Sequence, residues 1–380
     1  MSSLRIAIVH DWLVSRGGAE RVLEELLRCY SDADLFTLVD QLPNKERDFI
    51  QQRSVTTHFI NRLPFVRVYY RKLLPFMPFA VEQFDLSRYD IVISSSHAVA
   101  KGVITGPNQL HISYCYSPMR YAWDMWHQYL ETSGFKWPLS PIAGWFLHKI
   151  RLWDVCAANR VDRFIAISHF IKRRIQKTYR RDATVIYPPV NVDAFLLSGQ
   201  RQKEGFYLTA SRLVPYKRVD LIVEAFSELR DRELVVIGDG PEAARIRAKA
   251  GHNIKFLGWV DQAVLIDYMQ RARAFVFAAQ EDFGIVPLEA QACGTPVIAF
   301  GRGGVRETIN GLDSPNPTGV FFDAQDAGSI RDAVMRFERE SCHITPDACR
   351  ANAMRFSSGR FRREFTAFVD DAWIEFKGHW

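Results

Sequence analysis

The chain has 380 residues, enough for two or more domains of ordinary size. Hydrophobic residues make up 48% and charged residues 24%, which excludes a disordered or fibrous chain. The 49 Lys+Arg against 43 Asp+Glu leave a net charge of +6, which suits an anionic small ligand or an anionic membrane surface and by itself does not mark a nucleic-acid binder.

In chain order, no secretory pattern precedes the first apolar run, Ile6-Ala7-Ile8-Val9, which reads as a buried strand. His10 to Arg16 is a loop closed by Gly17-Gly18. Ala19, Val22, Leu23, Leu26, Leu27 and Tyr30 then recur on one helix face. Phe59–Phe79 mixes Arg62, Arg67, Arg71 and Lys72 with aromatic and aliphatic residues, so it suits either an anionic membrane face or a core helix with cations at its rim. Further strands read at Ile91–Ile93, with His97 just beyond, and at Ile112–Tyr114 and Phe164–Ile167. Between them Tyr121, Trp123 and Trp126 offer flat faces for a sugar, or for core packing. The uncharged stretch Trp137–Leu147, broken by Pro138 and Pro141, is shorter than the roughly 20 residues that cross a bilayer.

Tyr187-Pro188-Pro189-Val190 reads as a hinge, followed by the polar stretch Ser198–Glu204. The alternation then restarts, with strands at Tyr207–Thr209, Leu234–Ile237, Ile254–Leu257, Phe275–Phe277 and Val297–Phe300, and a helix over Arg218–Leu229. The tail Arg360–Phe376 carries one apolar helical face. Continuous apolar strands alternating with helices predict α/β architecture with parallel sheets covered on both faces. The expectation is two doubly wound, Rossmann-like domains facing a central cleft. They span 1–188 and 189–358, and a helix over 359–380 packs back towards the first.

In open parallel sheets ligands bind beyond the carboxyl ends of the strands, so chemistry is expected on the loops there. After Tyr207–Thr209 comes Ser211-Arg212-Leu213-Val214-Pro215-Tyr216-Lys217-Arg218, whose clustered cations form a diphosphate clamp or a solvated helix start. After Phe275–Phe277 comes Glu281-Asp282-Phe283-Gly284-Ile285-Val286-Pro287-Leu288-Glu289, with two glutamates about two helical turns apart. One belongs to the loop and the other to the helix it opens. They stand at the two ends of a ligand, or are solvated acids of a surface helix. Gly303-Gly304 is another turn, with a ligand-binding and a plain structural reading. The six cysteines lack C-x-x-C spacing, and Cys342, His343 and Cys349 lack a fourth metal ligand. Incidental thiols in a reducing cytoplasm follow.

Glu281 to Glu289, continued by Ala290-Gln291-Ala292-Cys293-Gly294-Thr295-Pro296, resembles the Glu-x(7)-Glu signature of retaining glycosyltransferase family 4, of GT-B fold. Arg212 and Lys217 resemble that family's donor-diphosphate pair, Gly17-Gly18 its N-terminal glycine loop, and Gly303-Gly304-Val305-Arg306-Glu307 its Gly-Gly-x-Pro-Glu turn, with Arg306 in place of proline. His10 to Arg21 and Ser117 to Asp124 resemble a narrower group, the bacterial O-antigen and exopolysaccharide mannosyl- or rhamnosyltransferases.

The resemblance implies transfer of a hexosyl group, mannose or D-rhamnose from a GDP-sugar, to a polyprenyl-diphosphate-linked saccharide in lipopolysaccharide synthesis. It implies no metal and no cofactor beyond the nucleotide-sugar substrate. Arg212 and Lys217 would stabilise the leaving diphosphate, with Gly17 and Gly18 on its other side. Glu281 and His97 would touch the transferred sugar and Glu289 the ribose. Phe283, Gly284, Ile285 and Val286 would present amides, and Gly258, Trp259 and Val260 would hold the base. Tyr121, Trp123 and Asp124 would meet the acceptor. The implied setting is cytoplasmic, peripheral on the inner membrane. A nucleotide-sugar 2-epimerase of the same fold, or a non-catalytic sugar-nucleotide-binding subunit, is the competing expectation.

Overall fold

The computed structural model describes residues 4–124, 126, 139–197 and 203–378. Residues 1–3, 125, 127–138, 198–202 and 379–380 lie outside these, and with them Trp137 and Pro138 and the start of the polar stretch Ser198–Glu204. The chain divides into two compact units: Met1–Tyr187 together with Phe361–Trp380, and Pro188–Arg360.

The first unit is built on seven strands: β1 (Ile6–His10), β2 (Asp34–Thr37), β3 (Val55–Thr56), β4 (Ile91–Ser96), β5 (Leu110–Cys115), β6 (Arg163–Ala166) and β7 (Thr184–Val185). Their order across the sheet is β3-β2-β1-β4-β5-β6-β7, and every pairing is parallel. The second unit has β8 (Tyr207–Ala210), β9 (Leu234–Ile237), β10 (Ile254–Gly258), β11 (Ala274–Phe277), β12 (Val297–Phe300) and β13 (Gly319–Phe322). They lie in the order β10-β9-β8-β11-β12-β13, again all parallel. Strands buried on both faces read as unbroken apolar runs, which is why β1, β8, β9, β11 and β12 stand out in the sequence.

The central strand β4 runs past its apolar half into Ser94-Ser95-Ser96, which hydropathy alone does not extend. Each serine finds a partner inside. Ser94 Oγ lies 2.9 Å from His111 Nε2, Ser95 Oγ 3.0 Å from His10 Nδ1 and 2.9 Å from Tyr116 Oη, and Ser96 Oγ accepts from Lys101 N. Satisfied in this way, buried hydroxyls cost little.

Residues 59–81 form no single helix. A 3-10 turn Phe59–Arg62 stops before Pro64, and there follow a helical turn Val66–Tyr69, a second 3-10 stretch Tyr70–Phe76 containing Pro75, and a short helix Met77–Val81 with Pro78 in its first turn. Ile60, Val66, Tyr70, Leu74, Met77 and Ala80 enter the first unit's core.

The C-terminal helix Ser358–Gly378 packs Phe361 and Phe365 edge-on against Tyr114 of β5, with ring centroids 5.8 and 6.1 Å away, and Arg362 reaches Glu25 at 2.5 Å. None of the six cysteines is in a disulfide; Cys349 is buried while Cys342 is exposed. Among the described residues no helix is long and apolar enough to cross a membrane.

Candidate functional site

In each sheet the strand order reverses once, between β1 and β4 and between β8 and β11. Connections leave such a point in opposite directions, opening a crevice beyond the strands' carboxyl ends. Gly17, Gly18 and His97 follow β1 and β4 at the first point, and Arg212, Lys217 and Glu281 follow β8 and β11 at the second, whereas Gly258–Val260 follow the edge strand β10 and Tyr121, Trp123 and Asp124 follow β5.

In the second unit the loop after β8 lies tight against the loop after β9. A Cβ on Gly238 would stand 1.9 Å from the Ser211 carbonyl oxygen, and one on Gly240 2.3 Å from that of Leu213. Only glycine fits here, and Gly238 also has φ of +128°. The chain then makes a 3-10 turn, Pro215–Lys217, with Arg218 in the left-handed region. Lys217 Nζ forms an ion pair with Glu281 Oε1 across the switch point, and lies 5.6 and 5.8 Å from the rings of Tyr216 and Phe277. Burial pulls the Lys217 ammonium down to about 8. Arg212, the other half of the expected clamp, is exposed.

Glu281 is held by its backbone. Its carbonyl accepts the Gly304 N–H at 2.8 Å, and residue 281 bridges Gly303. At Gly303 φ is +85°, and a Cβ there would stand 2.3 Å from the Glu281 oxygen; one on Gly304 would stand 2.4 Å from that of Asp282. The glycine pair after β12 is thus a cradle for the Glu281 loop. Gly284, at φ +97°, turns the chain into the helix Ile285–Ala292, with Phe283 buried against Phe356 and Ile285 and Val286 half-buried on the first turn. The two glutamates end in different environments: Glu281 in the loop facing Lys217, Glu289 buried within the helix. Gly258, with positive φ, ends β10; Trp259 beyond it is 80% exposed and Val260 half-buried.

In the first unit Asp11, just past β1, is completely buried. Its Oδ2 accepts from the backbone N–H of His97 (2.7 Å) and Ala98 (3.0 Å), and its Oδ1 from Val99 and Ala100, both at 2.7 Å. The His97 ring Nδ1 stands 3.0 Å from Oδ2 and its ring packs edge-on against Trp12. Burial opposes charge on both groups. Their mutual attraction, with the amides, outweighs it: Asp11 lies far below the usual carboxylate range and His97 is raised above the usual imidazole value. Lys101 draws in the same loop from the other side, donating to Ala98 O at 2.9 Å and to Asp154 Oδ1 at 2.5 Å. Gly17 N donates to Glu20 Oε2 at 2.8 Å, so one of the two glycine-loop amides is engaged within the helix start itself.

The expected acceptor residues take structural partners. Trp123 Nε1 donates to Asp154 Oδ2 at 2.7 Å, Asp124 pairs with Arg174 at 2.6 Å, and Tyr121 is half-buried against the core.

Sequence reading assigned no role to Asp11, Lys101, Gly238 or Gly240. The signal for the glycines was present, a Gly-Asp-Gly-Pro turn straight after the β9 run. For Asp11 the cue was a carboxylate directly after a buried strand, where exposed amides of the next loop must find acceptors.

Two family models match the chain: "Glycosyltransferase Family 4" over residues 16–194 and "Glycosyl transferases group 1" over residues 198–356. A protein of Corynebacterium glutamicum, a GDP-mannose-dependent monoacylated alpha-(1-6)-phosphatidylinositol monomannoside mannosyltransferase, is 29% identical over 228 residues, 52% of this chain and 57% of its own. A GDP-mannose-dependent alpha-(1-6)-phosphatidylinositol monomannoside mannosyltransferase of Mycolicibacterium smegmatis is 28% identical over 52% of this chain and 56% of its own. The chain thus spans little more than half the length of these relatives. Among solved structures, Anabaena Alr3699/HepE in complex with UDP and glucose superposes with a TM-score of 0.67 at 17% identity, covering 97% of this chain and 99% of that one. Sucrose-phosphate synthase from Thermosynechococcus elongatus gives 0.72 at 16% identity over 98% and 100%. The two parallel-sheet units are those of the GT-B fold, and with family models matching both halves the chain belongs to glycosyltransferase family 4.

Proposed function

We propose that the chain is a retaining glycosyltransferase that moves a hexosyl group from a nucleotide diphosphate to a hydroxyl of a lipid-linked saccharide. The carrying observation is the half-buried Lys217–Glu281 pair at the switch point of the second sheet. A lysine held in a partly desolvated loop, next to a carboxylate that is its one ion-pair partner among the described residues, can exchange that partner for a diphosphate. Exposed Arg212 adds a second cation, and the amides at the start of the helix Ile285–Ala292 a third source of positive potential. In the transfer the C1–O bond to the diphosphate breaks and the acceptor oxygen bonds to C1 on the same face. Its proton passes to a departing phosphate oxygen, so no protein base and no metal are assigned. Glu281, released from Lys217, binds hydroxyls of the moving sugar; His97 is assigned one hydroxyl and Glu289 the ribose.

GDP-mannose is the favoured donor, because several relatives are GDP-mannose-dependent and act on a lipid-anchored sugar. Rhamnosyl transfer and an O-antigen or exopolysaccharide product rest on the His10–Arg21 and Ser117–Asp124 resemblance alone. The test presents GDP-, UDP- and ADP-sugars to the full chain with a lipid-linked acceptor in EDTA and reads the anomeric configuration of the product. GDP-mannose consumed with retention supports the reading. Epimerised nucleotide sugar without transfer, or donor binding without turnover, overturns it.

A further inference from the structure

The stretch between Asp48 and Glu82 contains no acid, yet it carries Arg62, Arg67, Arg71 and Lys72. All four are exposed, and none forms an ion pair among the described residues. Interleaved with them are Phe65, Val68, Phe76 and Phe79, exposed by 82, 84, 58 and 61%. Isolated exposed apolar residues are ordinary, but four of them within fifteen residues, with the cations between them, form a patch of a kind that marks an interaction site. The opposite face of the same turns is anchored in the core through Val66, Tyr70, Leu74 and Met77, so the outward side chains are presented by a fixed scaffold.

Phe65 sharpens the point. It caps the turn Val66–Tyr69 with φ of +55°, a left-handed backbone that bulky residues rarely adopt. Its ring gains no burial in return. A strained and exposed phenylalanine is costly for folding on both counts, and such outliers collect at functional surfaces.

We propose that this face seats the first unit on an anionic phospholipid bilayer, with the phenylalanines entering the headgroup–acyl boundary and the four cations meeting lipid phosphates. Charge complementarity selects the occupant: a purely apolar partner leaves four cations unmatched, whereas a negatively charged interface satisfies both chemistries in one plane. The inner side of the seat connects to the switch-point loops of the same unit, since Tyr70 packs against Trp12 at 5.3 Å and Trp12 against His97 at 4.6 Å. The seat is independent of the glycosyl-transfer reading, which rests on other residues.

The experiment is co-sedimentation of the full chain with phosphatidylcholine vesicles, with and without phosphatidylglycerol. Binding is expected to the anionic vesicles only and to weaken with salt. Arg67→Glu with Arg71→Glu and Lys72→Glu should weaken it on the order of a hundredfold, at about fivefold for each cation lost from the surface. Phe65→Gly should weaken binding at least severalfold while leaving the thermal midpoint unchanged or higher, because it removes the ring and relieves the left-handed strain. A purely structural role cannot produce that pair of results. Equal binding to neutral and anionic vesicles, or no binding by the wild type, overturns the proposal. So does a dimer in sedimentation velocity that Phe65→Gly dissolves without affecting lipid binding, since a second copy is then the occupant.

Discussion

The two sheets share one order over six strands, the first adding β7 at its edge, and each ties the two loops at its reversal with an acid and a base, yet the ties have opposite character. In the first unit the acid comes from the loop after β1, and both Asp11 oxygens are saturated by four backbone amides before His97 is added. In the second unit the cation comes from the corresponding loop, after β8, and meets one carboxylate from the loop after β11. Among the described residues the Glu281 carboxylate makes no other hydrogen bond. The first tie is architecture and can move only if the loop unfolds. The second is a one-to-one pair at a partly open site, which a stronger anion can displace. One topology therefore provides a rigid half and an exchangeable half, and the difference lies in how many partners each carboxylate has.

Breaking the first tie should give the largest effect on folding. Asp11→Ala strands four N–H groups, three of them buried and each of those worth about 1–3 kcal/mol when left unmade, so a loss of about 4 kcal/mol or more is expected. Urea unfolding measures it. A loss under about 1 kcal/mol shows that water replaces the carboxylate and that the tie is not architectural.

Breaking the second tie should act on chemistry. Lys217→Ala is expected to lower transfer by about a hundredfold, near 3 kcal/mol of charge stabilisation, while moving the urea midpoint far less than Asp11→Ala does. Steady-state kinetics beside the unfolding curve provides the check; near wild-type kcat/KM removes Lys217 from the diphosphate site.

Much of this was legible in the sequence. Strands buried on both faces announce themselves as apolar runs, so the alternating pattern yields the two sheets, and the loops after β8 and β11 carry their charges in the primary structure. Less visible were the serines of β4, whose burial depends on His10, His111 and Tyr116 arriving from elsewhere. The short edge strands β3 and β7, of two residues each, leave no period to detect. The Gly303-Gly304 turn was visible as a turn, but its partner, the backbone of residues 281–283, is set by tertiary packing. Asp11 was in plain view, and its four amides were hidden in the same way.

That cradle offers an intermediate perturbation. Gly303→Ala places a methyl against the Glu281 carbonyl at a φ of +85°, which is strained by about 1–2 kcal/mol before any clash. The loop has to shift, and with it the geometry of the pair. Transfer is expected to fall about tenfold, less than with Lys217→Ala, with a modest drop in thermal midpoint. A fall in stability with unchanged kinetics shows that Glu281 tolerates displacement, and detaches the glycine turn from the site.

The smallest effect separates the ties by titration. Burial works against charge on the His97 ring, but the Asp11 carboxylate with Glu20 beyond it outweighs burial and the nearby Arg71, so the ring titrates above the usual value of about 6.5. Since its folded value exceeds its unfolded one, the stability this ring contributes is complete below about pH 6.5 and is lost as pH rises through the folded value. Asp11 works the other way: its contribution is present above about pH 3.9 and is lost as pH falls through its depressed folded value. The pair therefore stabilises the first unit most between those limits. His111, whose buried ring has no acid partner among the described residues and is pushed down to about 4 by desolvation, is an internal control in the same sheet. An NMR titration should show His97 moving down in Glu20→Gln and further in Asp11→Asn, with His111 unmoved in both. A His97 resonance that titrates at the ordinary value in the wild type breaks the pairing and leaves Asp11 holding the loop through its amides alone.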